Sequence, residues 1–133
     1  MKKNYIQHPC PCDPSRAYEN CCHRYLSGSA QTETAEQLMR SRYTAYTQAN
    51  IDYIVKTQKF ATENNFDPTN ALLWAKQVKW RRLKVLRAFA DEQDPLHYFV
   101  EFSAYFILHG KPDTLHELSE FKRIAGIWYY IHP

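Results

Sequence analysis

The sequence predicts an α+β domain, with helices from its first half packed on one face of a curved antiparallel sheet built from its second half. Two observations carry this prediction. Apolar residues recur at helical spacing between about residues 34 and 78, and alternate at strand spacing from about Trp80 onward. Helix starts carry their own capping residues, and the strands are separated by short turns. A third feature stands apart from this plan: HPCPCDPSRAYENCCHRYL, residues 8–26, holds all four cysteines of the 133-residue chain.

The helical half reads in order. TAEQLMRSRYTAYTQAN is the longest helix, capped by Thr34 with Gln37 three residues on, and places Leu38, Met39, Arg42, Tyr43 and Tyr46 on one side. Asn50 caps a shorter helix carrying Ile51, Ile54 and Val55. A third starts at Asp67 with Pro68 in its first turn, and presents Leu72, Leu73, Trp74 and Val78.

The strand half follows. In HYFVEFSAYFILH, Tyr98, Val100, Phe102, Ala104, Phe106 and Leu108 share one face, and Phe99, Glu101, Ser103, Tyr105 and Ile107 the other. HGKPD is a turn, TLHELSEFKRI the next strand, Ala125 and Gly126 a tight turn, and IWYYIHP the last strand. Four strands after the helices give the layered α+β architecture.

Composition limits the function classes. Hydrophobic content of 44% with ten tyrosines and three tryptophans belongs to a folded chain. The net charge is +3, and the most basic stretch, KQVKWRRLKVLR, interleaves its charges with Trp80, Leu83, Val85 and Leu86. That is the solvated face of a strand rather than a phosphate-binding stripe, so nucleic acid is not an expected partner. No apolar run is long enough to span a bilayer, and MKKNYIQHPCPCDP has the lysines of a signal peptide without its apolar stretch. A cytoplasmic location, where thiols stay reduced, is the expectation.

Cys10, Cys12, Cys21 and Cys22 form two close pairs, which a short connection can bring around one tetrahedral ion. Pro9, Pro11 and Pro14 stiffen the first pair, CCHRYL opens a short helical turn, and Tyr18 is placed to cover the ion. Zinc is the expected cofactor. Redox thiols and incidental buried cysteines are the weaker alternatives, because a redox pair is normally Cys-x-x-Cys and structural cysteines are scattered. His23, and less readily His8, compete for one ligand position, since imidazole binds zinc as thiolate does.

Cys-x-Cys-x8-Cys-Cys followed by an aromatic resembles the SEC-C motif, first described at the C-terminus of the translocase motor SecA, where it binds zinc and contacts a chaperone. AEQLMRSRYTAY, HELSEF and GIWYY are similar to the YchJ-like family of bacterial proteins. The resemblance implies a zinc-binding SEC-C module over residues 1–28 and a nuclear transport factor 2-like (cystatin-like) domain over residues 29–133, a cone of curved sheet around helices. Three departures accompany it. Asp13-Pro14-Ser15 stands where SEC-C motifs usually carry Gly-Ser-Gly, no second SEC-C copy is seen before Pro133, and Thr57-Gln58-Lys59 replaces the family's Thr-Trp-His.

A cone-shaped sheet implies a cavity at its open end. Arg42, Tyr43 and Tyr46 from the long helix, with His116 and Glu117 from the third strand, are the candidate cavity residues. His116 and Glu117 are strand neighbours, so at most one of them faces inward. The blander reading makes Tyr43 and Tyr46 core tyrosines with hydroxyls satisfied at the edge, and pairs Arg42 with Glu117 or another carboxylate. No catalytic residue is assigned. The leading expectation is a non-enzymatic adapter that meets a protein partner through its zinc module. The alternative is a ligand-binding protein or an enzyme of lyase or isomerase type, with a small molecule in the cavity and structural zinc.

Overall fold

The structure, a computed structural model, describes residues 7–133. The lysine-bearing residues 1–6, on which the signal-peptide reading falls, lie outside that range. The described chain runs from a short hairpin, β1 (Pro9–Cys10) and β2 (Asp13–Ala17), through a 3-10 turn at Tyr18–Asn20 to α1 (His23–Leu26). Four helices follow: α2 (Ala35–Thr47), α3 (Ile51–Lys56), α4 (Ala61–Asn65) and α5 (Pro68–Gln77). Then come β3 (Val78–Asp91), β4 (Asp94–Leu108), β5 (Lys111–Ile124) and β6 (Ile127–His132).

Each expected cap is in place. Thr34 accepts a hydrogen bond from the Gln37 backbone N–H, Asn50 from Tyr53 and Asp67 from Asn70. These side chains satisfy N–H groups that the first turn of a helix leaves without an internal partner. Replacing Thr34 by alanine is expected to lower stability by about 1 kcal/mol, read from the urea midpoint. Helix α4 was not anticipated. It starts at Phe60, whose φ of 64° turns the chain sharply, and its sequence ATENN has no apolar periodicity to announce it.

The sheet is an antiparallel meander in the order β3-β4-β5-β6. Val100, Phe102, Ala104 and Phe106 are buried against the helices, as the alternation predicts. Bulges between Trp80 and Arg82 and between Val85 and Arg87 put extra residues into β3 and bend the sheet around α2. The β4–β5 connection is tighter than expected: only His109 and Gly110 turn, both at positive φ, and Lys111, Pro112 and Asp113 already pair with β4. Pro112 is tolerated because β6 pairs with β5 only from Glu120 to Ile124, which leaves β5 an edge at that point. On α5, Ala75 is buried and Leu73 is exposed, so the apolar face is narrower than the sequence suggested.

Two groups of buried side chains make the core. One joins the four cysteines to Leu38, Met39 and Tyr43 of α2 and to the inner face of the sheet. The other gathers Tyr25, Ala45, Ile51, Ile54 and Ala75 among the helices. The cysteine segment is docked on α2 by polar contacts as well. Arg40 donates to the Cys12 carbonyl oxygen at 3.0 Å, and the Gln48 amide donates to the Tyr18 hydroxyl at 2.9 Å.

Candidate metal centre and cavity

The hairpin β1–β2 and helix α1 converge the four thiols. Cys10 leaves the first strand, Cys12 lies in the hairpin turn, and Cys21 and Cys22 immediately precede α1. Sγ of Cys12 stands 3.6 Å from Sγ of Cys10, Cys21 and Cys22 alike, and all four sulfurs lie within 4.8 Å of one another. Four sulfurs bound about 2.3 Å from a central ion would be about 3.8 Å apart, so the cluster fits a tetrahedral site with little adjustment. All four are free thiols. They are at most 5% exposed.

Thr44 of α2 supports the cluster from below: its hydroxyl donates to Sγ of Cys22 at 3.3 Å and lies 3.9 Å from Sγ of Cys10. The hydrogen-bond contacts with Cys12 and Cys22 pull the Cys10 thiol well below the ordinary thiol range, while the shared contact with Cys10 pushes Cys12 up to about 12. A cation bound by the four sulfurs would displace the thiol protons. His8 and His23 are both exposed and stand outside the cluster, the His23 ring lying against Tyr18 at 5.2 Å.

The opposite side of α2 forms one wall of a cavity of about 240 Å³ between helices and sheet. Arg42, Tyr43 and Tyr46 line it, and Glu117 enters from β5. His116 does not. It pairs with Ser103 on the outer face of the sheet and binds Glu101 there at 2.7 Å, beside the Arg87–Glu101 ion pair. Hydrogen bonds from Arg87 and His116 hold the Glu101 carboxyl below its usual range.

Arg42 is not paired with Glu117. Its guanidinium, 6% exposed, donates to the Ile54 carbonyl at 3.0 Å, to the Thr57 hydroxyl at 2.8 Å and to the Gln58 side-chain oxygen at 3.0 Å. Its face stacks on Tyr130 at 4.2 Å. Desolvation pulls its pKa down, and no carboxylate among the described residues lies within ion-pair distance. Thr57-Gln58-Lys59, the segment departing from the family's Thr-Trp-His, is thus the anchor of this arginine. It also bridges to β6, since Tyr130 N–H donates to the Thr57 carbonyl and Lys59 N–H to that of Tyr130.

Glu117 accepts hydrogen bonds at Oε2 from the Tyr130 hydroxyl at 3.1 Å and from Ser119. Among the described residues, neither the Tyr43 nor the Tyr46 hydroxyl is a buried polar atom left without a partner. Burial raises both phenols, Tyr43 to about 12, so neither ionises near neutral pH. Trp74, Trp80 and Tyr130 were not among the candidate residues, although each lines the cavity. Strand alternation could have found Trp80 and Tyr130. The Gln58 contact depends on a parallel bridge to Tyr130, for which the sequence has no local signal.

The comparisons with known proteins agree with this arrangement. Residues 34–133 match the family described as YchJ, middle NTF2-like domain. A UPF0225 protein of Bordetella pertussis is 38% identical over 98% of this chain and 96% of its own length. Another, from Actinobacillus succinogenes, is 37% identical over 92% of this chain and 79% of its own. A SEC-C motif containing protein from Psychrobacter arcticus has a similar crystal structure, with TM-score 0.81, 34% identity, and coverage of 96% of this chain and 82% of that one. The solution structure of a SEC-C motif containing protein from Rhodopseudomonas palustris gives TM-score 0.83 at 31% identity, covering 93% of this chain and 95% of that one. No helix among the described residues is long and apolar enough to cross a membrane. With an NTF2-like sheet wrapped around its helices and a four-cysteine cluster docked beside them, the chain belongs to the YchJ-like family.

Proposed function

We propose that this is a small-molecule-binding protein in which a structural zinc ion, held by Cys10, Cys12, Cys21 and Cys22, clamps the N-terminal segment onto the helix that walls the cavity. One observation carries the reading: α2 presents Thr44 to the thiols and Arg42, Tyr43 and Tyr46 to the cavity. Four thiolates complete the coordination of zinc, and in such a closed site the ion organises the fold and has no position left for a substrate.

A thermal-shift screen tests the cavity, using the full chain beside Leu115→Trp. Leu115 lies on the cavity lining and is exposed, so a larger side chain there narrows the space without disturbing the deep core. Binders should raise the melting temperature of the wild type and leave the variant unmoved. A library whose hits stabilise both proteins equally sinks the reading.

A second reading, an enzyme of lyase or isomerase type, is favoured by Glu117, a carboxylate on the cavity lining that could accept a proton from a bound molecule. The adapter role rests on the resemblance and on the exposure of Pro14, Ser15 and Arg16 in the hairpin, and nothing in that short stretch selects a partner by its chemistry.

A further inference from the structure

Resting on the reading of the cavity as a ligand site, we infer that its ligand is a neutral, planar molecule offering a hydrogen-bond donor to Glu117, such as the N–H of a cyclic amide or of an amide-bearing heteroaromatic ring.

The shape requirement comes from the aromatic lining. Trp74 and Trp80 meet edge to face with centroids 5.2 Å apart, and Tyr46 stands 6.1 Å from the first and 6.3 Å from the second. Flat, rigid walls of this kind favour a flat guest that stacks on one ring and meets the edge of another. The cavity is smaller than pockets that hold drug-sized ligands, which suits one or two fused rings.

The donor requirement comes from Glu117. Ser119 and Tyr130 both donate to its Oε2, and among the described residues none donates to Oε1. A ligand N–H or O–H is the natural partner for that second oxygen, because an ionised carboxylate can only accept.

Neutrality follows from the charges that share the space. Arg42 and Glu117 are the cavity's charged side chains among the described residues, and their formal charges cancel. An anion would meet the Glu117 carboxylate, and a cation the buried Arg42 guanidinium, whose ring contact with Tyr130 already uses that aromatic face. A molecule with complementary dipoles meets neither repulsion.

The test titrates five probes into the full-length ¹⁵N-labelled protein, following the Trp80 indole N–H resonance assigned through Trp80→Phe. The probes are isoquinolone, N-methylisoquinolone, isoquinoline, naphthoate and naphthylmethylammonium. Isoquinolone should bind about tenfold more tightly than the N-methyl compound, which lacks the donor, and than isoquinoline, which also lacks it, a difference of about one hydrogen bond. It should shift the indole resonance, because the Trp80 ring lines the cavity. Glu117→Leu should remove the preference for isoquinolone over its N-methyl form. Should that variant fail to fold, the N-methyl comparison in the wild type decides the same point. Equal or tighter binding of naphthoate or naphthylmethylammonium overturns the ligand class and leaves the cavity reading standing. If none of the five disturbs Trp80 or the other lining residues, the cavity reading fails, and this inference with it.

Discussion

Protein carrying Cys12→Ser together with Cys22→Ser is expected to contain no zinc, where wild type purified without chelator contains one ion per chain, and to melt more than about 10 °C lower. The size of the effect follows from what the ion holds. Structural zinc sites contribute on the order of 10–16 kcal/mol of apparent binding energy at neutral pH, comparable with the whole stability of a small domain. Cys12 is the hub of the cluster, 3.6 Å from each of the other three sulfurs, and Cys22 is also the one that receives the Thr44 hydroxyl. Their loss therefore loosens the hairpin, α1 and the face of α2 beneath them together. Acid should release the ion from the wild type. Thiolates bind it and thiols do not, so protons compete as the pH falls and the stabilisation is lost in that direction. Elemental analysis and calorimetry on the two proteins measure both effects. Wild type that carries no metal, or a variant that melts at the wild-type temperature, would refute the structural-zinc reading.

Arg42→Met is expected to lower stability by about 3–5 kcal/mol, because it keeps the bulk of the side chain and removes every hydrogen bond from its head. The Ile54 carbonyl and the Gln58 side-chain oxygen, both buried, would each lose their arginine donor. The contact with the Tyr130 ring would become an ordinary apolar one. Arg42→Lys should recover only part of the loss, since a single ammonium cannot reach the Ile54, Thr57 and Gln58 acceptors with the geometry of a guanidinium. Urea unfolding of the three proteins gives the comparison. A variant at least as stable as wild type, with isoquinolone binding abolished, would instead make Arg42 a ligand-binding cation, since functional charges are seldom optimal for stability.

What the sequence determined by itself is what short-range chemistry determines. Thr34, Asn50 and Asp67 cap the helices they precede because a side-chain oxygen meets an N–H two or three residues away, whatever else the chain does. The apolar face of β4 and the Ala125–Gly126 turn are local in the same sense, as is the clustering of all four cysteines within thirteen positions. Tertiary structure decided the rest. Opposite charge alone pairs Arg42 with Glu117, yet Arg42 binds the end of α3 and Gln58, because a buried guanidinium is satisfied as well by carbonyl and amide oxygens as by a carboxylate. His116 and Glu117 were known to face opposite ways, but only the register with β4, which sets Glu117 beside Phe102 and His116 beside Ser103, decided which one entered the cavity. The cysteine segment reads as a separate module along the chain, whereas Arg40, Thr44 and Gln48 tie it to α2. Trp128 likewise donates to the Glu33 carbonyl across 95 positions of sequence. Such contacts join residues that only the packed layers bring together, and no spacing in the sequence encodes them.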